Sequence, residues 1–434
     1  MTTDLPPDVA SLGRGVRVEL PRLRAPIALL VDDPMPRLNP LYYHRKFFPS
    51  TGSGQALRAA RPRTRTGVLL VRTIPAAFLE RFCDVVQAAG ARGKFSVVPD
   101  PFGLGEIDRG FRDCPRRDCA AFIETVRSRL MPTFDITPEM LTHGHAIDLD
   151  TGRRLPENED AWSRKQGVES LTRYLAHAAA ILQRAGLEPN GFTSPWAFGR
   201  GVEHAYAEAA LRAQQQVNGR SLTWFFLDAS ERRRVMPRIM VVRRARREAV
   251  VHIVVGASDH LWETQDTMRA DEPYRRERAN LFITASGAGR IGELVESGSF
   301  VGLLAHWQSL YSNGTEVGVE VLQRVLARIN RLLGRRVAWM KCSEMTRYYA
   351  AAKAARARPT PDGLVIASPF ACPEFTISML ASRPPAGFAV DGRRLKRAES
   401  PRALRTGAWA WSRGRAYLCF DLRGTAQIIA ERPR

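Results

Sequence analysis

From residue 25 to about residue 356 the chain alternates short apolar, β-branched runs with longer segments whose apolar residues recur at helical spacing. The runs are "PIALLVDD" (26–33), "GVLLVRT" (67–73), "KFSVVPD" (94–100), "MLTHGHAID" (140–148), "GFTSPW" (191–196), "LTWFFLD" (222–228), "VVHIVVGASD" (250–259), "FVGLLAHW" (300–307) and "RVAWMKC" (336–342). Between most of them lie stretches such as "WSRKQGVESLTRYLAHAAAILQRAG", a helical pattern closed by glycine. Strands that return through helices run parallel and are covered by those helices, so the region is an α/β fold. No glycine-rich phosphate loop follows the first run, which removes the main support for a dinucleotide-binding sheet. The expected architecture is a distorted (β/α) barrel of seven or eight strands over residues 25–357. "RIMVVRRARREAVVHIVVGAS" (238–258) places two strands across a charged turn and is expected to be a hairpin inserted late in that barrel.

Beyond "YYAAAKAARARPTPDG" the helical period is lost. Runs such as "FTISML", "GAWAWSRG" and "RAYLCFDL" are separated by glycine and proline, which predicts a small all-β domain over 358–434, a sandwich. Residues 1–24 are expected to be an N-terminal extension.

In a barrel of this kind the reacting groups come from the carboxyl ends of the strands. Those ends carry Asp32 and Asp33, His143 and His145, Ser194 to Trp196, Asp228, Asp259 and His260, then His306 and Trp307. On an extended strand, residues two apart share a face, so His143 and His145 can face one ion, or one can pack while the other is exposed. With Asp33 as an oxygen donor they form a two-histidine, one-carboxylate set, for which zinc is the first candidate. His306 ends a buried strand and suits a general acid, because imidazole titrates near neutral pH. Asp259 and His260 either bind substrate or shape a rim. Trp196, Trp224, Trp262, Trp307 and Tyr311 offer faces for sugar rings, or ordinary core packing. His44 in the loop after the first strand and Lys341 at the end of the last one are weaker candidates.

The formal charge of +21 invites a polyanion partner, yet only six lysines occur and the arginines are spread from end to end. An acidic polymer contact through this surface and a solvated basic exterior are both open. The start "MTTDLPPDVASLGRG" lacks the basic and apolar regions of a signal peptide, and no run reaches membrane-span length, so a cytoplasmic location is expected, or an extracellular one if the chain is a trimmed form. Six cysteines lack paired metal spacing. Cys114 and Cys119 are near enough in sequence to bridge, although free thiols suit a cytosolic chain better.

Taken in order, "LLVDDP", "THGHAID", "FTSPWAFG", "TWFFLD" and "LLAHW" resemble the strand-end motifs of the polysaccharide deacetylase (NodB-homology) superfamily across most of residues 25–350. That family's histidine motif spaces its ligands four residues apart, where "HGH" spaces them two apart. Its arginine-proline-aromatic-glycine turn has Thr193 and Ser194 here in place of the arginine that orients the first aspartate. The resemblance implies a metal-dependent hydrolase that removes acetyl groups from an N- or O-acetylated carbohydrate. Asp32 would be the general base, Asp33, His143 and His145 the metal ligands, and a backbone N–H near Trp196 an oxyanion donor. His306 would be the general acid with Asp228 as its partner, and Trp196, Asp228, Asp259, His260 and Trp307 would contact substrate. The C-terminal region would be an accessory module. Competing classes are a glycoside hydrolase pairing Asp32 or Asp33 with Asp259, and a catalytically inactive carbohydrate- or polyanion-binding protein.

Overall fold

The computed structural model describes residues 8–47 and 62–431. The first seven residues of the expected N-terminal extension and the last three of the chain lie outside it. The fold is mixed α/β with two parallel sheets. In the first, the strand Ala25–Asp32 lies between Val301–His306 and Gly93–Val97, with Phe134–Pro138 beyond and Val337–Trp339 paired to its start. All eight residues of Ala25–Asp32 are buried, which is why this run is almost wholly apolar until it reaches its carboxylate. Gly93 lets the next strand approach it, since a Cβ there would lie 1.8 Å from the Leu29 carbonyl oxygen.

The second sheet runs Phe192–Thr193, Leu222–Ala229, Glu248–Val255, with Arg238–Arg243 as an antiparallel edge. The hairpin expected at 238–258 is therefore only half an insertion. Its second strand is parallel to Leu222–Ala229 and fully buried, because "AVVHIVV" is apolar on both faces, and only the arginine-bearing strand is an edge. Parallel bridges Glu139 to Thr193 and Ile136 to Pro189 link the two sheets on one side, and Ala257 to Leu303 links them on the other.

Two expected strands are displaced. "GVLLVRT" (67–73) makes only single bridges, Arg63 to Leu69 and Leu38 to Thr73, and while Leu70 is buried, Val68 and Leu69 are left exposed. "MLTHGHAID" follows the parallel strand Phe134–Pro138 rather than forming it. The chain bends through 140–144, with Met140 and His143 at φ of 42° and 54°, before His145–Ile147 pairs with Arg154–Asn158.

Past residue 355 the described regular elements are strands, apart from one helical turn at Pro401–Ala403. Cys372–Leu380 and Arg415–Leu422 centre one sheet, Gly363–Ala367 and Thr425–Glu431 another. The N-terminal strands Ala10–Gly13 and Val16–Val18 add to the first of these, through Val18 to Ile377 and Arg17 to Ser378. No described helix is long and apolar enough to cross a membrane. The six cysteines are free and buried, Cys114 and Cys119 with sulfurs 3.1 Å apart.

Candidate active site

The register of the first sheet sets His306 opposite Asp32, so adjacent strand ends deliver an imidazole and a carboxylate to the same place. The strand stops at Asp32, and Asp33 takes a left-handed φ of 70°. On a continuing strand these side chains would point to opposite faces. The turn at Asp33 brings both to the wall of one cleft of about 580 Å³, shared with Glu139, His143, Trp196 and His306. Left-handed backbone recurs around this cleft, at Met140, His143 and Trp196 as well as Asp33, the kind of strain that collects at functional sites.

Asp33, Glu139 and His143 are all buried, and one donor atom from each lies within 4.8 Å of the others. His143 Nε2 is 2.8 Å from Asp33 Oδ1 and 3.6 Å from Glu139 Oε1. The Asp33 backbone N–H donates to Glu139 Oε2 at 2.5 Å, and Gln308 Nε2 donates to Asp33 Oδ2 at 2.5 Å. Two carboxylates and an imidazole converging in this way suit a divalent cation. Burial would raise the Asp33 carboxyl, but the charge and hydrogen bond of His143 hold it well below the usual range. Burial, then Asp32 and Asp33, push Glu139 well above its own range. Burial would lower His143, but Asp33 and Glu139 raise it to about 9.

His145 does not join this set. The left-handed turn at His143 breaks the strand geometry that would have put the two histidines on one face, and His145 instead opens the hairpin opposite Asn158. Sequence reasoning missed Glu139, although it stands four residues before His143. It also missed Glu159. That buried carboxylate accepts the backbone N–H groups of Leu141 at 3.0 Å and of Thr142 and His143 at 2.9 Å each, and the Tyr174 hydroxyl at 2.7 Å. It thereby clamps the loop that presents His143. Burial raises Glu159 to about 7, against the lowering effect of these donors.

On the other side of Asp33, His306 Nδ1 lies 2.8 Å from Asp259 Oδ2, and the His306 backbone N–H donates to the same oxygen at 3.2 Å. Burial alone would lower this imidazole, but the Asp259 hydrogen bond and the Asp33, Asp259 and Asp32 charges raise it to about 10. The partner of His306 is thus Asp259, not Asp228. Asp228 lines the cleft 3.1 Å from His252 Nε2 on the neighbouring strand. Asp259 is held behind His306 and is not part of the cleft wall.

Trp196 lines the cleft, 41% exposed, its ring 5.1 Å from that of His143. Trp262 lines it too, 50% exposed and edge-on to His306 at 4.8 Å. Trp307 does not. It is buried against Phe78, Phe82 and Phe95, because the helix that starts after His306 turns it into the core. His260 packs edge-on to Phe282, away from the cleft wall. His44 does reach the cleft, 4.7 Å ring to ring from His143, and burial lowers it to about 3, which keeps it neutral. Lys341 instead donates to the Met131 carbonyl.

No protein-family model matches the chain. No curated protein matches it. Among solved structures the chain is similar to a Mycobacterium smegmatis protein described as a polysaccharide deacetylase, with 15% identity over 66% of this chain and 81% of that one and a TM-score of 0.40. It is similar to the T48 deacetylase solved with substrate, at 9% identity over 74% and 90% of the two chains and a TM-score of 0.33. It is also similar to a mutant of BA3943, a pseudoenzyme of the CE4 family, at 8% identity over 62% of each chain and a TM-score of 0.30.

Proposed function

We propose that the protein is a metal-dependent hydrolase that removes acetyl groups from an N- or O-acetylated carbohydrate. The observation that carries this reading is the convergence of Asp32, Asp33, Glu139, His143 and His306 in one cleft at the strand ends. The links between the two parallel sheets on both sides support a closed (β/α) barrel, and the two C-terminal sheets support a sandwich beside it. Asp33, Glu139 and His143 would hold the ion, with zinc as the proposed metal. Such an ion supplies charge that polarises a carbonyl and acidifies water.

The protein's own groups divide the proton work. Asp32 accepts a proton from the attacking water. His306 is charged at neutral pH because Asp259 holds its Nδ1, so Nε2 is the nitrogen that gives a proton to the departing amine or alcohol. Trp196 and Trp262 offer exposed faces for sugar rings on either side, and a backbone N–H near Trp196 is the proposed oxyanion donor.

The test is acetate release from N-acetylglucosamine pentamer and from acetylated xylan, with zinc and after chelation. Release that chelation abolishes and zinc restores is expected. Reducing-sugar release that survives chelation would replace this reading with glycoside hydrolysis.

A further inference from the structure

The sequence lacks an arginine at the Thr193–Ser194 turn, yet Asp32 is not without a cation. Lys94, on the strand Gly93–Val97, is completely buried and ion-paired through Nζ to Asp32 Oδ1. The same Nζ lies 2.8 Å from Ser96 Oγ, 2.9 Å from Thr193 Oγ1 and 3.4 Å from the Val31 carbonyl. Ser96 Oγ donates to the Val31 carbonyl at 2.9 Å and lies 3.4 Å from Asp32 Oδ1. Thr193 Oγ1 in turn meets Thr137 Oγ1 at 2.9 Å. A lysine with no solvent contact is costly unless its charge is paired and its protons are bonded, and here both conditions are met by groups from its own strand and two others.

We propose that Lys94 is the positioning residue for Asp32, taking from a neighbouring strand the place that an arginine at the 193–194 turn would fill. The contact with Thr193 fixes the geometry: Nζ bridges the Asp32 carboxylate and the Thr193 hydroxyl, so a cation carried at position 193 would arrive beside the same carboxylate. Lys94 and Ser96 both address Oδ1, which leaves Oδ2 as the oxygen that Asp32 presents to the cleft. Lys94 does not line the cleft and touches no reacting atom, so it acts through Asp32 alone. The catalytic consequence rests on the reading of Asp32 as general base; the placement of its carboxylate does not.

The experiment compares Lys94→Met, Asp32→Asn/Lys94→Met and Lys94→Met/Thr193→Arg with the wild type. Crystal structures are read first, independently of any turnover. The Asp32 carboxylate is expected to leave its place in Lys94→Met and to return when Thr193→Arg brings a cation from the turn. An Asp32 that keeps its place in Lys94→Met overturns the proposal. If Lys94→Met does not fold, folding of Asp32→Asn/Lys94→Met supports the proposal, because the lysine is then needed only to answer Asp32. Failure of both variants assigns Lys94 to packing and overturns it. Where the wild type releases acetate, kcat should fall about 100-fold in Lys94→Met with KM little changed, and recover at least about tenfold with Thr193→Arg. Equal loss with and without Thr193→Arg counts against the positioning role. A wild type that releases no acetate counts against the proposed function and leaves the crystallographic outcome to decide on Lys94.

Discussion

Asp33 is a single left-handed residue, and its turn converts two adjacent carboxylates into two walls of one cleft. Asparagine also tolerates this backbone, so Asp33→Asn should keep the turn, at some cost in stability from the lost pairing with His143, while losing at least about 100-fold in zinc affinity by calorimetric titration, a loss set by charge and not by the turn. Unchanged affinity would remove Asp33 from the ligand set. His306 supplies a pH signature. Its folded pKa, raised to about 10, lies above its ordinary value of 6.5, so its pairing with Asp259 stabilises the fold fully below about pH 6.5 and is lost as pH rises through about 10. Asp259→Asn should therefore cost about 3 kcal/mol in urea unfolding at pH 6 and much less at pH 10. An equal cost at both values would mean that the histidine is not charged in the native state.

At the scale of the element, the loop 140–144 decides whether the site exists, and Glu159 decides the loop. Glu159→Ala leaves three buried amides and a hydroxyl without their acceptor. The expected cost is about 3 kcal/mol, with faster hydrogen exchange at 140–144 and zinc affinity lower by about tenfold. Exchange unchanged in the loop would show that it holds its shape unaided. This loop is also where sequence reasoning stopped. "MLTHGHAID" alternates like a strand, and nothing local reveals that a carboxylate from the following helix gathers its amides and turns His143 away from His145. The runs ending in Asp32, Asp228 and His306 were legible because each is an apolar run that closes on an ionisable residue. Lys94 was invisible, since a lone lysine in "KFSVV" carries no mark that Asp32 lies on the adjoining strand.

At the scale of the whole molecule, the alternation of strands and helices and the all-β texture past residue 358 were both readable from period alone. The association of the two chain ends was not, because its partners are 359 positions apart, as in the bond from Ser378 to Glu19. Tyr348 adds to that junction by donating to the Glu19 carbonyl at 2.6 Å. Removing residues 1–24 should therefore expose the edge of Cys372–Leu380 and lower the midpoint of thermal unfolding, with aggregation, while a chain ending at residue 357 should lose solubility. A truncated chain that melts like the full one would show that these strands are an appendage. The central claim is that the cleft assembles a metal-dependent hydrolytic site. Its most direct test is a crystal soaked in zinc with anomalous data collected on both sides of the zinc edge. The account predicts one strong peak within coordination distance of Asp33, Glu139 and His143, with His145 outside its ligand sphere and Asp32 and His306 flanking it. No peak in the cleft at millimolar zinc, or a peak held by other residues, would contradict it.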